Sequence, residues 1–304
     1  MKKRYGIAGA CCLAGVLLIG VSWLMMKGDF TKMNSKNVGS GQERVYECAS
    51  SIDEIYVKEY SGAIKVLGGD VSTPKVEYVE SNRRKFTITE ENGVLRVERE
   101  KELQMLFWMI DFNRYEICVT VPRDYAGMLD IHNSSGIVDI SDLSGTGLSV
   151  KNTSGRIQLT NVSVDGDIQV DGSSGSIKLE EVTSKNCHVE NSSGSIKLDE
   201  VYCQNCDVQN TSGSITLDEV TADGNVKAKN SSGGVRLTTL RASGDISLSS
   251  TSGSIKGSIA GAESDFSINV KKGSGSCNLA NSTGGSRVLQ VKNTSGGIHI
   301  GFTE

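Results

Sequence analysis

Apolar and polar residues alternate with a period of two along most of this chain, and the alternation recurs about every twenty residues. The unit N-[ST]-S-G-x-[IV]-x-[LI] starts at Asn133 (NSSGIVDI), Asn152 (NTSGRIQL), Gly172 (GSSGSIKL), Asn191 (NSSGSIKL), Asn210 (NTSGSITL) and Asn230 (NSSGGVRL). Looser copies start at Ser250, Lys272 and Asn293, and successive copies lie 19 to 22 residues apart. Aligned, they form columns. One runs Val138, Ile157, Ile177, Ile196, Ile215, Val235, Ile255, Cys277, Ile298, and another, two residues on, runs Ile140, Leu159, Leu179, Leu198, Leu217, Leu237, Gly257, Leu279, Ile300. A third column, with Leu143 and Val162 at its head, ends at Leu240 and Ala260. Before each corner lies a further pair, such as Leu148 with Val150 or Cys206 with Val208. This spacing predicts strands with one buried face.

Two short strands in twenty residues leave no room for a helical crossover, which alone takes a dozen. The economical alternative stacks each strand in parallel on its own copy one turn later. The prediction is an all-β parallel β-solenoid, or β-helix, of about 20-residue coils, with like residues over like. Glycines such as Gly136, Gly155 and Gly194 fit corners that need positive φ. Asn133, Asn152, Asn191, Asn210 and Asn230 are expected to form a corner ladder whose amides satisfy turn backbone. A leucine-rich repeat would need a helical or 3₁₀ stretch and its own Leu/Asn signature, which the chain lacks.

Residues 129–304 are therefore read as regular coils and residues 45–128 as an irregular N-terminal section and cap, rich in alternating segments but off the strict period. Tyr60-Ser61-Gly62-Ala63-Ile64 echoes the repeat there. Such a section would cover the unpaired strand groups at the end of a stack.

The first residues follow another pattern. After Lys2-Lys3-Arg4, residues 7–26 (IAGACCLAGVLLIGVSWLMM) carry no charge, enough for one transmembrane helix. Positive charge before the run places residues 1–6 in the cytoplasm as a short tail and the rest outside the cell membrane, single-pass. Cleavage as a signal peptide is the rival; the bulky Trp23-Leu24-Met25-Met26 is a poor cleavage site. Residues 27–44, polar and glycine-containing, read as a flexible stalk.

Composition narrows the function classes. Two prolines in 304 residues exclude proline-rich and collagen-like chains, and a net charge of −4 without a basic block gives no basis for nucleic-acid binding. Aromatic residues are only 5 %, so aromatic-lined grooves are not expected.

Ile117-Cys118-Val119-Thr120-Val121-Pro122, then Leu129-Asp130-Ile131-His132-Asn133-Ser134-Ser135-Gly136, then serial S-G-x-I-x-L units resemble the bacterial "putative adhesin" domains of unknown function. The resemblance spans roughly residues 45–304. It implies a membrane-tethered solenoid and carries no catalytic motif.

Candidate chemistry is sparse. Glu180-Glu181, Asp199-Glu200 and Asp218-Glu219 fall at equivalent positions of three coils. They read as a solvated acidic ladder, partly neutralised by Lys178 and Lys197. Asp199, Glu200, Asp218 and Glu219 are the weak Ca²⁺ candidate, with relief incomplete near Asp218 because Thr216 offers no cation. Cys203-Gln204-Asn205-Cys206 is a C-x-x-C without a second pair at zinc spacing. The columns turn Cys187, Cys206 and Cys277 inward, while a corner position for Cys203 would aim the pair apart. Cys187 and Cys206 stack on neighbouring coils as buried thiols or as a bridge. His132, His188 and His299 lie on outward positions of different coils, with no Ser/His/Asp set among them. Residues 103–112, apolar and holding Leu106, Phe107, Trp108 and Ile110, read as a cap over the stack, with partner docking as the alternative.

The expectation is a non-enzymatic, membrane-anchored extracytoplasmic module, adhesin-like or an envelope scaffold or sensor, needing no cofactor and meeting an envelope protein or glycan partner. The competing class is a polysaccharide-active β-helix enzyme working through the acidic ladder. Oligomeric state is open.

Overall fold

The computed structural model describes residues 41–81, 84–101 and 115–303. The apolar run 7–26 and the segment with Leu106, Phe107, Trp108 and Ile110 lie outside the described residues. Among the described residues no helix is long and apolar enough to cross a membrane.

From Met128 onward the chain coils in parallel, as the columns predict. Met128–Gly145 lies in register on Gly147–Val164, with Leu129 opposite Leu148, Val138 opposite Ile157 and Ile140 opposite Leu159. Ile177–Ser193 lies on Ile196–Ser212 in the same way, pairing Leu179 with Leu198 and Val189 with Val208. Alternate side chains point inward, and these columns are fully buried, so a single apolar core runs the length of the stack. Burial at roughly 25 cal/mol per Å² of apolar surface is what holds successive coils together.

Three corners turn each coil. The first is the N-[ST]-S-G motif. The Nδ2 atoms of Asn133, Asn152, Asn191, Asn210, Asn230 and Asn293 donate to the carbonyl oxygens of Gly62, Gly136, Gly175, Gly194, Gly213 and Gly253 at 2.7–3.0 Å. Ser250 Oγ does the same for Gly233 at 3.1 Å. The ladder asparagines are buried, so each amide satisfies a carbonyl that water does not reach. Glycine is required beside it: at Gly194 φ is +118°, and a Cβ would collide with the Gly175 carbonyl one coil below.

Of the other two corners, the sequence reading placed only the one at Cys203, and without its ladder. At the second, Asp142, Asn161, Glu181, Glu200, Glu219 and Thr239 all have φ between +49° and +56°. At the third, Asn186 donates to Asp167 at 2.7 Å and Asn205 donates to Asn186 at 2.9 Å. Asn205 then accepts from the backbone of Asn225 at 3.0 Å, and Asn225 from that of Asp245 at 2.8 Å. This is a second side-chain ladder on the opposite edge.

The N-terminal section consists of β1 (Gln42–Glu47), β2 (Glu54–Glu59), β3 (Ala63–Gly69), β4 (Lys75–Glu80), β5 (Phe86–Glu91), β6 (Val94–Arg99) and β7 (Glu116–Pro122). β1 begins inside the stretch read as stalk. β2 and β3 form a coil: Ile55 and Val57 lie on Leu129 and Ile131, and Ile64 and Val66 on Val138 and Ile140. β6 and β7 then add a further parallel coil on the other side of β2 and β3. Beyond it the chain reverses, with β5 antiparallel to β6, β4 antiparallel to β7 and β1 antiparallel to β4.

The C-terminal coils also depart from sequence order. Arg287–Ser295 pairs on one side with Ile246–Ser252 and on the other with Phe266–Ser274, so the last coil is inserted before the one that precedes it. Accordingly Ile298 pairs with Ile255 and lies between it and Cys277, where the aligned columns put Cys277 in the middle. The reason is chemical. Asn293 supplies the ladder amide and Leu289, Val291, Ile298 and Ile300 are fully buried, whereas the outer coil has Lys272 at the ladder position and only partly buried Val270, Cys277 and Leu279. A register shift also brings Ile259, not Ala260, opposite Leu240.

Candidate functional site

The acidic ladder divides into two rows. Glu180, Asp199 and Asp218 lie half-buried on the strands; Glu181, Glu200 and Glu219 are exposed at the left-handed second corner. Lys178 bonds Glu180, and Lys197 Nζ lies 2.6 Å from Asp199 and 3.8 Å from Asp218. The hydrogen bond to Asp199, with the charges of Asp199 and Asp218, keeps the Lys197 ammonium more basic than usual. One lysine thus spans two coils, bonded to Asp199 and at the edge of pairing distance from Asp218. The ligand atoms that do converge among the described residues belong to Asp171, His188 and Glu190, all within 4.8 Å of one another on the outer face of adjacent coils. Such mixed nitrogen and oxygen donors suit a borderline divalent cation. His188 Nδ1 also lies 3.9 Å from Asp207.

The cysteines hold the clearest surprise. Cys203 and Cys206 both face inward, and the Cys206 thiol contacts Cys203 on one side and Cys187, its register partner one coil below, on the other. The expectation that the corner would aim the pair apart fails because the corner between them has only two residues, Gln204 and Asn205. All three are free thiols. Contact with Cys206 comes first, and burial second, in pushing the Cys203 thiol far above its ordinary range, so it stays neutral.

Cys203 also floors a cavity of about 370 Å³ at the third corner. Thr183, Tyr202 and Thr221, register partners on three successive coils, form one wall. Ser184, Gln204 and Asp223 complete it. The recess has a cause in the backbone. Two residues separate Cys203 from Cys206, but three separate their partners Ala222 and Val226, so the corner steps outward over a shorter one. Tyr202 is 54 % exposed, and Ser184 Oγ is buried without a hydrogen-bond partner. The low aromatic content gave no reason to expect this recess, which depends on a one-residue difference between coils.

Residues 52–301 match the Toastrack DUF4097 family. The chain belongs to that family. Solved structures with this fold include a putative adhesin from Parabacteroides distasonis ATCC 8503, 14 % identical with a TM-score of 0.50, the match covering 86 % of this chain and 97 % of that one. A putative lipid binding protein from the same organism is 13 % identical with a TM-score of 0.49, and a putative adhesin from Bacteroides fragilis NCTC 9343 is 14 % identical with a TM-score of 0.47, at the same coverages. No curated protein matches the chain. The Toastrack DUF4097 match agrees with the resemblance to bacterial putative-adhesin domains, and its span takes in both β2 and the last coil.

Proposed function

We propose that this Toastrack DUF4097 chain is a non-enzymatic, adhesin-like module held at the cell envelope by its N-terminal apolar run, with the solenoid outside the membrane. The observation that carries the reading is the in-register stack itself. From Met128 to Thr303 strand lies on strand in parallel at a coil spacing of about 4.8 Å, which makes a rigid, largely polar outer face suited to another surface or an extended chain. The strand row of the acidic ladder supports this: Glu180, Asp199 and Asp218 are bonded or paired with lysines along the same face. The basic triplet before residues 7–26 supports the orientation.

External protease added to intact cells tests the placement. Digestion of the solenoid with retention of an N-terminal membrane fragment is expected; full protection of residues 45–304 overturns it.

A further inference from the structure

The cavity under Tyr202 has the chemistry of a small-ligand site, and its lining selects among ligand classes. Its volume of about 370 Å³ lies at the small end of the usual range of about 300–1,000 Å³. The hydroxyl-bearing Thr183, Tyr202 and Thr221 line it, together with the Gln204 amide and the Asp223 carboxylate. No lysine or arginine lines it, so a phosphate, sulfate or acidic sugar would meet an unopposed carboxylate. Its apolar content, from the Tyr202 ring, the Cys203 side chain and the threonine methyls, is too little to bury an acyl chain.

Two features mark the cavity as more than a surface dimple. Donors and acceptors from three coils ring it, while the Ser184 side chain behind it is only 7 % exposed and faces inward on the row of Cys203 and Ala222. Tyr202, beside it, is the one aromatic among the large apolar side chains that stand exposed in the described residues. A flat ring held between two threonines offers an apolar face bordered by hydrogen-bonding groups. That combination matches a pyranose, whose C–H face stacks on a ring while its edge hydroxyls both donate and accept.

We propose that the cavity formed by Thr183, Tyr202, Gln204, Thr221 and Asp223 binds one uncharged or amino hexose residue of a glycan. This rests on the adhesin-like reading above and gives it a ligand class. Tyr202 stacks on the sugar face, and Asp223 and Gln204 bond its ring hydroxyls. One subsite binds weakly, with affinity in the millimolar range.

The test is saturation-transfer NMR on the full chain, in a detergent without a sugar headgroup, with glucose, galactose, glucosamine, N-acetylglucosamine and decanoate as separate probes. Transfer to at least one of the sugars is expected, with Tyr202→Ala weakening it about tenfold or more and Tyr202→Phe leaving it within about twofold. Asp223→Asn weakens it as well. Because Tyr202 is exposed and Asp223 lies at a surface corner, the variants keep the parent melting temperature. No transfer to any sugar from the folded chain, transfer undiminished in Tyr202→Ala, or transfer to decanoate alone overturns the proposal. Failure here leaves protease digestion on intact cells unchanged, whereas protection from protease would overturn the surface placement and leave the sugar measurement standing.

Discussion

The coils from Met128 onward and the N-terminal section solve the same problem in opposite ways. In a coil, the corner carbonyl is met by a neutral amide from the next turn, as Asn210 meets Gly194. At the top of the ladder there is no further asparagine. Glu59 takes that place, opposite Asn133, and is buried. Its carboxylate accepts from the backbone of Tyr60 and Ser61 and from Arg84 at 2.6 Å and Arg99 at 2.8 Å. Arg84 is in turn held over the rings of Tyr115 and Phe86. A repeat can satisfy its polar groups by translation, one neutral bond per turn. An end cannot, and this end gathers charge around one carboxylate and turns its outer strands antiparallel.

If that contrast is correct, the coils fail by losing apolar contact and the end by losing charge balance. Leu198→Asp, between Leu179 and Leu217, should have the largest effect. A buried unpaired carboxylate costs about 4 kcal/mol or more, so cooperative unfolding by circular dichroism should be lost or greatly weakened. Glu59→Gln comes next. It leaves two arginines facing a neutral group and should cost about 3–5 kcal/mol. Hydrogen exchange should rise in β2, β6 and β7 while the coils beyond Gly147 stay protected. Uniform loss of protection would mean that the section and the coils unfold as one unit.

Asn210→Ala removes one ladder bond and strands the Gly194 carbonyl, for about 1–3 kcal/mol in a denaturant titration. An effect below about half a kcal/mol would show that water replaces the amide.

Alkaline pH acts on buried thiols in both regions, and Cys48 is the one to titrate first in the N-terminal section's contact with β4. Burial first, then the charge of Glu90, pushes the Cys48 thiol up to about 11. The neutral thiol is favoured by folding, so its contribution is complete below the ordinary thiol value near about 8.5 and is lost as pH rises from there towards about 11. Melting temperature should fall across that window, and Cys48→Ala should flatten the fall. Tyr125, raised mainly by burial, adds loss at higher pH.

The smallest effect is expected at the second corner. Glu200 holds φ +53°, which asparagine tolerates better, as Asn161 does in the same column. Glu200→Asn should stabilise by about 1 kcal/mol or less and leave the core untouched. No gain would imply that the exposed glutamate row makes contacts that offset the backbone strain.

The period of two inside a period of about twenty determined the strands, their parallel stacking and the inward columns, because burial demands the same face from every copy. The asparagine ladder was legible for the same reason: Asn133, Asn152, Asn191, Asn210 and Asn230 recur before glycine, and only stacking makes that useful. Nothing in the period distinguishes a coil that follows its predecessor from one inserted beside it. The order at both ends was therefore decided in three dimensions, by which coil could bury more and complete the ladder: Asn293 with Leu289 and Val291 went inward, Lys272 went outward. The same holds for Glu59 with Arg84 and Arg99, which are 25 and 40 residues from it and share no motif. It holds for the recess beneath Tyr202, where a corner one residue longer than its neighbour opens a space that the alignment of columns treats as a gap. Local pattern specifies what repeats; end closure and cavities arise from mismatches between repeats, and these acquire a geometry only once the coils are stacked.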